Sequence, residues 1–169
     1  MQPQDSIGFW LSYALRSLTS ALSTLIRAHC EERGKPYVLT PQQFGIMRLL
    51  YGEESVKTMT ALGRLLGVEM PAVTGIVTRL EQIGLVERVH DYEDRRVVKV
   101  SLTAEGQDII RSLNPVVEAF QERLLPRDQQ HALIHHLHGL ITAATPAGEE
   151  VLTFAANDLH HPKSDPQNE

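Results

Sequence analysis

Hydrophobic residues recur every three or four positions along most of the chain, which predicts a mainly helical protein. The periodicity predicts six helices, over residues 6–32, 40–52, 58–66, 70–83, 103–123 and 126–144. After residue 84 the pattern changes to β-branched residues in partial alternation, at 85–89 and 97–102, with a charged stretch between them. This change predicts a β-hairpin with a polar tip. The expected fold class is therefore mainly α with a small β-hairpin (α+β).

A proline inside the fifth predicted helix and a polar C-terminal segment modify this prediction. Pro115 lies in the middle of the fifth predicted helix. Because proline lacks an N–H donor, it is expected to bend or break that helix. The composition becomes polar from Pro146 onward. Residues 147–169 are therefore expected to form a C-terminal tail, with a short helix over 147–157.

The third and fourth predicted helices are short and are joined by only three residues, 67–69, which is typical of a helix-turn-helix. The fourth helix carries an apolar stripe of Val73, Ile76, Val77 and Leu80. The opposite face is therefore expected to be exposed to solvent and available to a partner. A DNA major groove admits one such helix, and the hairpin beside it would form a wing.

Each residue type on this surface suits a DNA contact. Small and hydroxyl side chains allow close approach to base edges, and free N–H groups at the start of the helix suit a phosphate. Adjacent arginines on a hairpin suit a narrow minor groove, where an acidic neighbour can hold a guanidinium in place. The residues predicted to contact DNA are Pro71, Ala72, Thr74, Gly75, Thr78, Arg79, Asp94, Arg95 and Arg96.

The net charge of −5 does not exclude a DNA partner, because the acidic residues are concentrated in one third of the chain. Residues 1–56 are balanced, residues 57–103 carry a net charge of +1, and residues 104–169 carry −6. The central segment can therefore present arginine and lysine to phosphates.

Other chemistry is poorly supported. The sequence has no phosphate-binding loop, no Gly-x-Ser-x-Gly and no His-Glu-x-x-His, so we expect no enzyme, no cofactor and no metal. The one cysteine cannot form an internal disulfide, and no apolar run is long enough to span a bilayer. These features and the lack of a secretory signal favour a cytoplasmic protein without a membrane partner.

Two alternatives remain open for sensing. Cys30, near the end of the first helix, is a redox sensor only if its thiolate is exposed, and an unreactive cysteine is favoured. His131 and His135 have the i, i+4 spacing of a metal-binding pair, although a polar helix face or an interface is favoured.

Three segments together resemble the MarR family of transcriptional regulators. They are the helix at 59–68, the helix and strand at 73–88, and the run Asp91-Tyr92-Glu93-Asp94-Arg95-Arg96 that leads into Leu102-Thr103-Ala104-Glu105-Gly106. The Asp-Arg-Arg wing before Leu-Thr-x-x-Gly is the most specific part. The resemblance covers about residues 6–145.

The resemblance implies a winged-helix homodimer that binds double-stranded DNA at a pseudo-palindromic operator. Many members are repressors released by a small, often phenolic, ligand. By position, Arg96 matches the minor-groove arginine of the family and Asp94 its supporting acid. Gly75 stands where many members have a long polar side chain, and Glu69 replaces a frequent serine cap. Both departures are expected to weaken DNA binding.

The resemblance also implies a division of the chain. Residues 1–35 and 104–146 form a helical dimerisation region, 36–103 the winged helix-turn-helix domain and 147–169 the tail. A dimer is also expected from the first helix, which is apolar around much of its circumference. By family position, the predicted ligand-binding residues are Tyr37, Phe44, Met47 and Arg48. A protein-interaction adaptor that uses the same fold without DNA remains an alternative.

Overall fold

The computed structural model describes residues 6–52, 56–90 and 97–144, and it confirms the expected fold class. The chain divides into two compact units at Pro126. The first contains five helices and a small sheet, and the second contains the last helix. In chain order the elements are α1 (Ile7–Glu32), α2 (Pro41–Leu49), β1 (Lys57–Thr58), α3 (Met59–Leu66), α4 (Met70–Gln82), β2 (Val86–His90), β3 (Val98–Leu102), α5 (Ala104–Leu124) and α6 (Arg127–Ala144).

The sheet is antiparallel and has the strand order β1-β3-β2. The predicted hairpin is the β2–β3 pair, in which Val86 lies opposite Leu102 and His90 opposite Val98. The strand β1 was not predicted, because its two residues are too few to show an alternating pattern. It pairs with β3, with Lys57 opposite Val100, and so joins the segment before α3 to the hairpin.

The buried residues of the described part of the chain form a hydrophobic core that connects the sheet with α1, α2, α3, α4 and α5. All four residues of the predicted stripe of α4 are buried, which confirms the helical period in this segment. Each large aliphatic side chain buried here contributes about 1.5–3 kcal/mol to the free energy of folding. The largest fully buried side chains are Ile26, Leu39, Ile46, Met47, Leu50, Leu62, Leu80, Leu85, Ile109, Ile110, Leu113 and Val73.

Pro115 does not break α5, which is continuous from Ala104 to Leu124. Of the expected bend or break, the break does not occur, because packing on both sides of the proline compensates for the missing N–H donor. Leu113 and Val117 are both buried in the core. Proline removes one hydrogen bond of the helix, whereas two buried aliphatic side chains fix the backbone before and after it.

The N-terminal half of α1 is exposed in the single chain. Every residue from Ile7 to Ala21 is solvent-accessible, although the segment is rich in apolar side chains. Three aromatic rings contact one another on it, with centroid distances of 5.5 Å between Phe9 and Trp10, 6.2 Å between Trp10 and Tyr13 and 6.4 Å between Phe9 and Tyr13.

The second unit shows a similar apolar surface. None of the residues Arg127–Ala144 of α6 is buried. The apolar side chains of Leu133, Leu140 and Ile141 are exposed, and the exposed fraction of Ile141 is 57%. Residues 145–169, including the predicted short helix, lie outside the described residues.

No single helix among residues 6–52, 56–90 and 97–144 is long and apolar enough to cross a membrane. The helices α3 and α4 meet the criteria of length and composition only as a pair, and the pair is bent by 110°.

Candidate nucleic-acid interface

The bend of 110° between α3 and α4 is the crossing angle of a helix-turn-helix. Gly67 ends α3 in the left-handed conformation, with φ +62°, which residues other than glycine seldom adopt. The N–H of Val68 then donates to the carbonyl of Gly63 at 3.1 Å. Gly63 also lets the turn approach α3 closely, because a Cβ atom there would lie 3.2 Å from the carbonyl oxygen of Val68.

This turn presents one face of α4 to solvent. Four of the predicted contact residues, Pro71, Ala72, Thr74 and Arg79, are exposed, and Gly75 and Thr78 are half-buried. Apart from Gly75, its chain neighbours and the nearby backbone of α4, no described atom lies within 4 Å of the position that a Cβ at Gly75 would occupy, so the surface is open around it. The helix backbone can therefore approach a flat partner closely at Gly75.

The N-terminus of α4 suits a phosphate less well than expected. Pro71 has no N–H group, and the N–H of Ala72 donates to the carbonyl of Glu69 at 3.0 Å. The Glu69 side chain forms no cap with any described N–H group, so its carboxylate adds negative charge beside the helix start. The start of α4 therefore offers fewer free N–H groups than expected, because Pro71 has none and that of Ala72 is already bonded.

Sequence reasoning missed Arg88. It lies on β2, and its Nη2 donates to Thr78 Oγ1 on α4 at 2.9 Å. Its Nη1 donates to the carboxylate of Glu81, also on α4. Nothing in the local pattern marks Arg88, because the contact joins two elements and is visible only once β2 packs beside α4.

The hairpin carries the remaining predicted DNA contacts. Asp94, Arg95 and Arg96 lie outside the described residues. The strands that lead to them are paired along their whole length, from Val86–Leu102 to His90–Val98. The described end of the hairpin therefore lies next to the predicted wing residues in sequence.

The four predicted ligand-binding residues differ in their surroundings. Phe44 and Met47 are core residues, at 4% and 0% exposure. Arg48 is half-buried on α2. The Tyr37 hydroxyl donates to Glu105 Oε1 at 2.9 Å, so it faces the first turn of α5. Burial, and then the hydrogen bond to the carboxylate, raise the pKa of Tyr37.

A line of polar contacts joins the end of α1 and the following loop to α5. Lys35 Nζ lies 2.7 Å from Glu105 Oε1, and Arg33 Nη2 lies 2.7 Å from Asp108 Oδ2. The hydrogen bonds from Lys35 and Tyr37 lower the pKa of Glu105. Exposed ion pairs of this kind add little stability, but they fix the position of the α1 end against α5.

An open groove of about 580 Å³ lies between α1 and α5, away from these polar contacts. One residue of α1, Leu25, and five of α5 line it. The Arg123 guanidinium carbon lies 5.8 Å from the centre of the Phe120 ring, so one cation borders an otherwise apolar space. None of the four predicted ligand residues is part of this lining. The α5 residues are Pro115, Val116, Ala119, Phe120 and Arg123.

The sensing alternatives can be compared with the structure. Cys30 is fully buried, and burial raises the pKa of its thiol, which is the opposite of what a reactive cysteine needs. Its neighbour His29 contacts Ser112 Oγ through Nε2 at 3.0 Å, and burial lowers the pKa of His29. Within the described ranges, no three His, Cys, Asp or Glu side chains lie close enough together to hold a metal.

A helix-turn-helix with an exposed second helix, followed by an antiparallel hairpin, defines a winged-helix DNA-binding fold. A sequence profile of the MarR family matches residues 39–98. The homoprotocatechuate degradative operon repressor of Escherichia coli is 32% identical over 150 residues, which cover 87% of this chain and 95% of the repressor. The chain belongs to the MarR family of transcriptional regulators.

Solved structures agree with this assignment. A probable transcriptional regulator from Pseudomonas aeruginosa superposes with a TM-score of 0.69 at 27% identity, over 82% of this chain and 98% of that one. The repressor CouR bound to a 23-mer DNA duplex gives a TM-score of 0.68 at 25% identity, over 81% of this chain and 93% of CouR. The matched family and these relatives are transcriptional regulators.

Proposed function

We propose that the protein is a homodimeric transcriptional repressor that binds a palindromic operator and is released from it by a small ligand, such as a phenol. The observation that carries the proposal is the solvent-facing side of α4, where Thr74 and Arg79 are exposed on either side of the open backbone at Gly75. One helix of this size fits a major groove, and its hydroxyl and guanidinium groups suit base edges and phosphates. The similarity to an operon repressor and to DNA-bound CouR supports the same function.

A dimer explains the exposed apolar half of α1. Leu15 and Trp10 are 69% and 53% exposed in the single chain, and a helix that is apolar around much of its surface needs a partner. A second copy related by a two-fold axis would cover it and present two copies of α4, which a palindrome with half-sites about 34 Å apart requires.

The oligomeric state tests this interface. Leu15→Glu places a charge on the apolar stripe of α1 and is expected to give a monomer by sedimentation velocity. Ser12→Glu adds the same charge to an exposed polar position of the same helix and is expected to leave the dimer intact. A monomeric wild-type protein, or equal behaviour of the two variants, would contradict the proposed interface.

DNA binding is tested with a duplex that the protein itself selects from a random 30-base-pair library. Fluorescence anisotropy should show an affinity that falls steeply with salt, because phosphate contacts release counterions. Arg79→Ala, and Arg96→Ala on the predicted wing, are each expected to weaken binding by about 1–3 kcal/mol. Arg111→Ala, an exposed arginine on α5, removes the same charge and should have little effect. Failure to enrich any sequence, with no salt-dependent binding, would overturn the proposal and favour an adaptor.

The proposed ligand site is the open groove between α1 and α5, because Phe44 and Met47 are buried in the core whereas this groove has an apolar wall and one guanidinium. That combination suits an aromatic ring with an acidic group. Such a ligand would release DNA if it bound better to a conformation with the wrong spacing of the two α4 helices.

Isothermal titration with a panel of hydroxylated aromatic acids tests the ligand site. Arg123→Gln should weaken binding of the acid that releases DNA, and Arg48→Gln, on the predicted alternative pocket, should not. The reverse result would move the site to Tyr37, Phe44, Met47 and Arg48.

A further inference from the structure

Arg88 connects the hairpin to the exposed face of α4. It projects from β2, and its guanidinium reaches two side chains that lie three residues apart on one side of the helix, Thr78 and Glu81. Its side chain is 29% exposed, so this contact lies at the edge of the proposed DNA surface and not inside the core. Two N–H groups of one rigid, planar group are therefore bound to the same helix.

We propose that Arg88 is a positioning residue for DNA recognition, which acts through Thr78. A threonine hydroxyl has one hydrogen to donate and two lone pairs to accept with. Because Arg88 donates to Thr78 Oγ1, one lone pair is occupied and the hydroxyl hydrogen points away from the guanidinium. Thr78 is then a donor towards the DNA, and it favours acceptors such as a phosphate oxygen, guanine O6 or N7, or thymine O4.

Glu81 limits the direct attraction between Arg88 and DNA phosphates. Its carboxylate balances the charge of Arg88 and holds the guanidinium beside α4, so the arginine contributes little free positive charge to phosphate binding. The effect of Arg88 on DNA affinity should therefore depend on the hydroxyl of Thr78. If Arg88 bound a phosphate directly, its effect on DNA affinity would not depend on the Thr78 hydroxyl.

The inference rests on the proposed function, and a mutant cycle tests it with the 30-base-pair duplex selected by the wild-type protein. The double variant Arg88→Gln/Glu81→Gln removes both charges and keeps the net charge of the chain unchanged. It is expected to weaken binding about tenfold, the equivalent of one charge-assisted hydrogen bond. In a Thr78→Val background, which keeps the shape but lacks the hydroxyl, the same double change should cost less than about twofold. In a Thr78→Ser background, which keeps the hydroxyl, the tenfold cost should return.

The base preference of the selected sites gives a second readout, which would not change if Arg88 only stabilised the fold. A repeated selection with the double variant and one with Thr78→Val should lose preference at the same position of the site. Should the double variant fail to fold, Arg88→Lys keeps the charge but cannot bond to both partners as the planar fork does, and the same dependence on the hydroxyl is expected.

Two outcomes would overturn the inference. An equal cost in the wild-type and Thr78→Val backgrounds would show that Arg88 acts directly on DNA or only on the fold. No cost in any background would show that it plays no part in recognition. A wild-type protein that selects no DNA at all would instead remove the proposed function itself, so the two failures are distinguishable.

Discussion

Replacing Gly106 by alanine tests how closely α5 approaches the segment after α4. A Cβ atom at this position would lie 2.0 Å from the carbonyl oxygen of Leu85 and 3.2 Å from Leu102 Cδ2. The oxygen belongs to the backbone, so no side-chain rotation can relieve the contact. The same oxygen accepts the N–H of Thr103 at 3.1 Å, and a shift of α5 would weaken that bond as well.

The expected loss of stability is about 3 kcal/mol. Overpacking in a tight site costs about 1–3 kcal/mol and sometimes more, and here the contact with a backbone atom places it at the upper end. A weakened hydrogen bond adds about 1 kcal/mol, and the better helix propensity of alanine returns about 1 kcal/mol. Urea unfolding followed by circular dichroism, at one fixed protein concentration, measures the difference.

Gly75→Ala is the matched control, because it makes the same change in a helix where the new Cβ would contact only its chain neighbours and the backbone of its own helix within 4 Å. It should leave stability unchanged or raise it by up to about 1 kcal/mol. A Gly106→Ala protein within about 0.5 kcal/mol of the wild type would refute the close approach of α5 to Leu85.

Three further predictions concern the same unit. Thr103→Ala removes the side-chain oxygen that accepts the Gly106 N–H at 3.1 Å, and it should lower the free energy of unfolding in urea by about 1–2 kcal/mol. The Ser6 side chain caps no described N–H group, so Ser6→Ala should cost less than about 0.5 kcal/mol. The buried Cys30 thiol should react with N-ethylmaleimide at least about 100-fold more slowly in the folded protein than in urea, and equal rates would contradict its burial. The hydrogen bond from Lys35 lowers the pKa of Glu105 below its ordinary value of 4.5. The ionised carboxylate therefore stabilises the fold above pH 4.5, and this stabilisation is lost as the pH falls through the lowered pKa. Glu105→Gln should therefore be less stable than the wild type at pH 7, and the difference should disappear at pH 2; a difference that grew towards low pH would contradict the sign.

Much of the fold could be predicted because its signals are local. The helix α4 was predicted from the spacing of its apolar stripe, and the structure buries all four residues of that stripe, Val73, Ile76, Val77 and Leu80. The strand β1 could not be predicted, since two residues take their extended form from pairing with β3. At Pro115 the helix also continues where the local rule allowed a break, because the packing of α5 outweighs the loss of one hydrogen bond.

The candidate site was predicted less completely. The exposed residues of α4 follow from its buried stripe, and Thr74 and Arg79 are where the periodicity places them. The contact of Arg88 with Thr78 spans ten residues and two elements, so no helical or strand period could indicate it. The pocket residues Phe44 and Met47 were chosen by family position, whereas their burial depends on how this core is filled.

The junction between α4 and α5 has a mechanical consequence. Thr103 Oγ1 donates to the Gly84 carbonyl at 2.7 Å and the Thr103 N–H donates to Leu85, so the start of α5 is fastened directly behind the last turn of α4. A helix of the length of α5 is about 30 Å long, so a tilt of about 5° moves one end by roughly 2.6 Å relative to the other. Under the proposed function, a molecule that binds the distal half of α5 and tilts this helix by a few degrees would therefore shift α4 relative to the DNA bases.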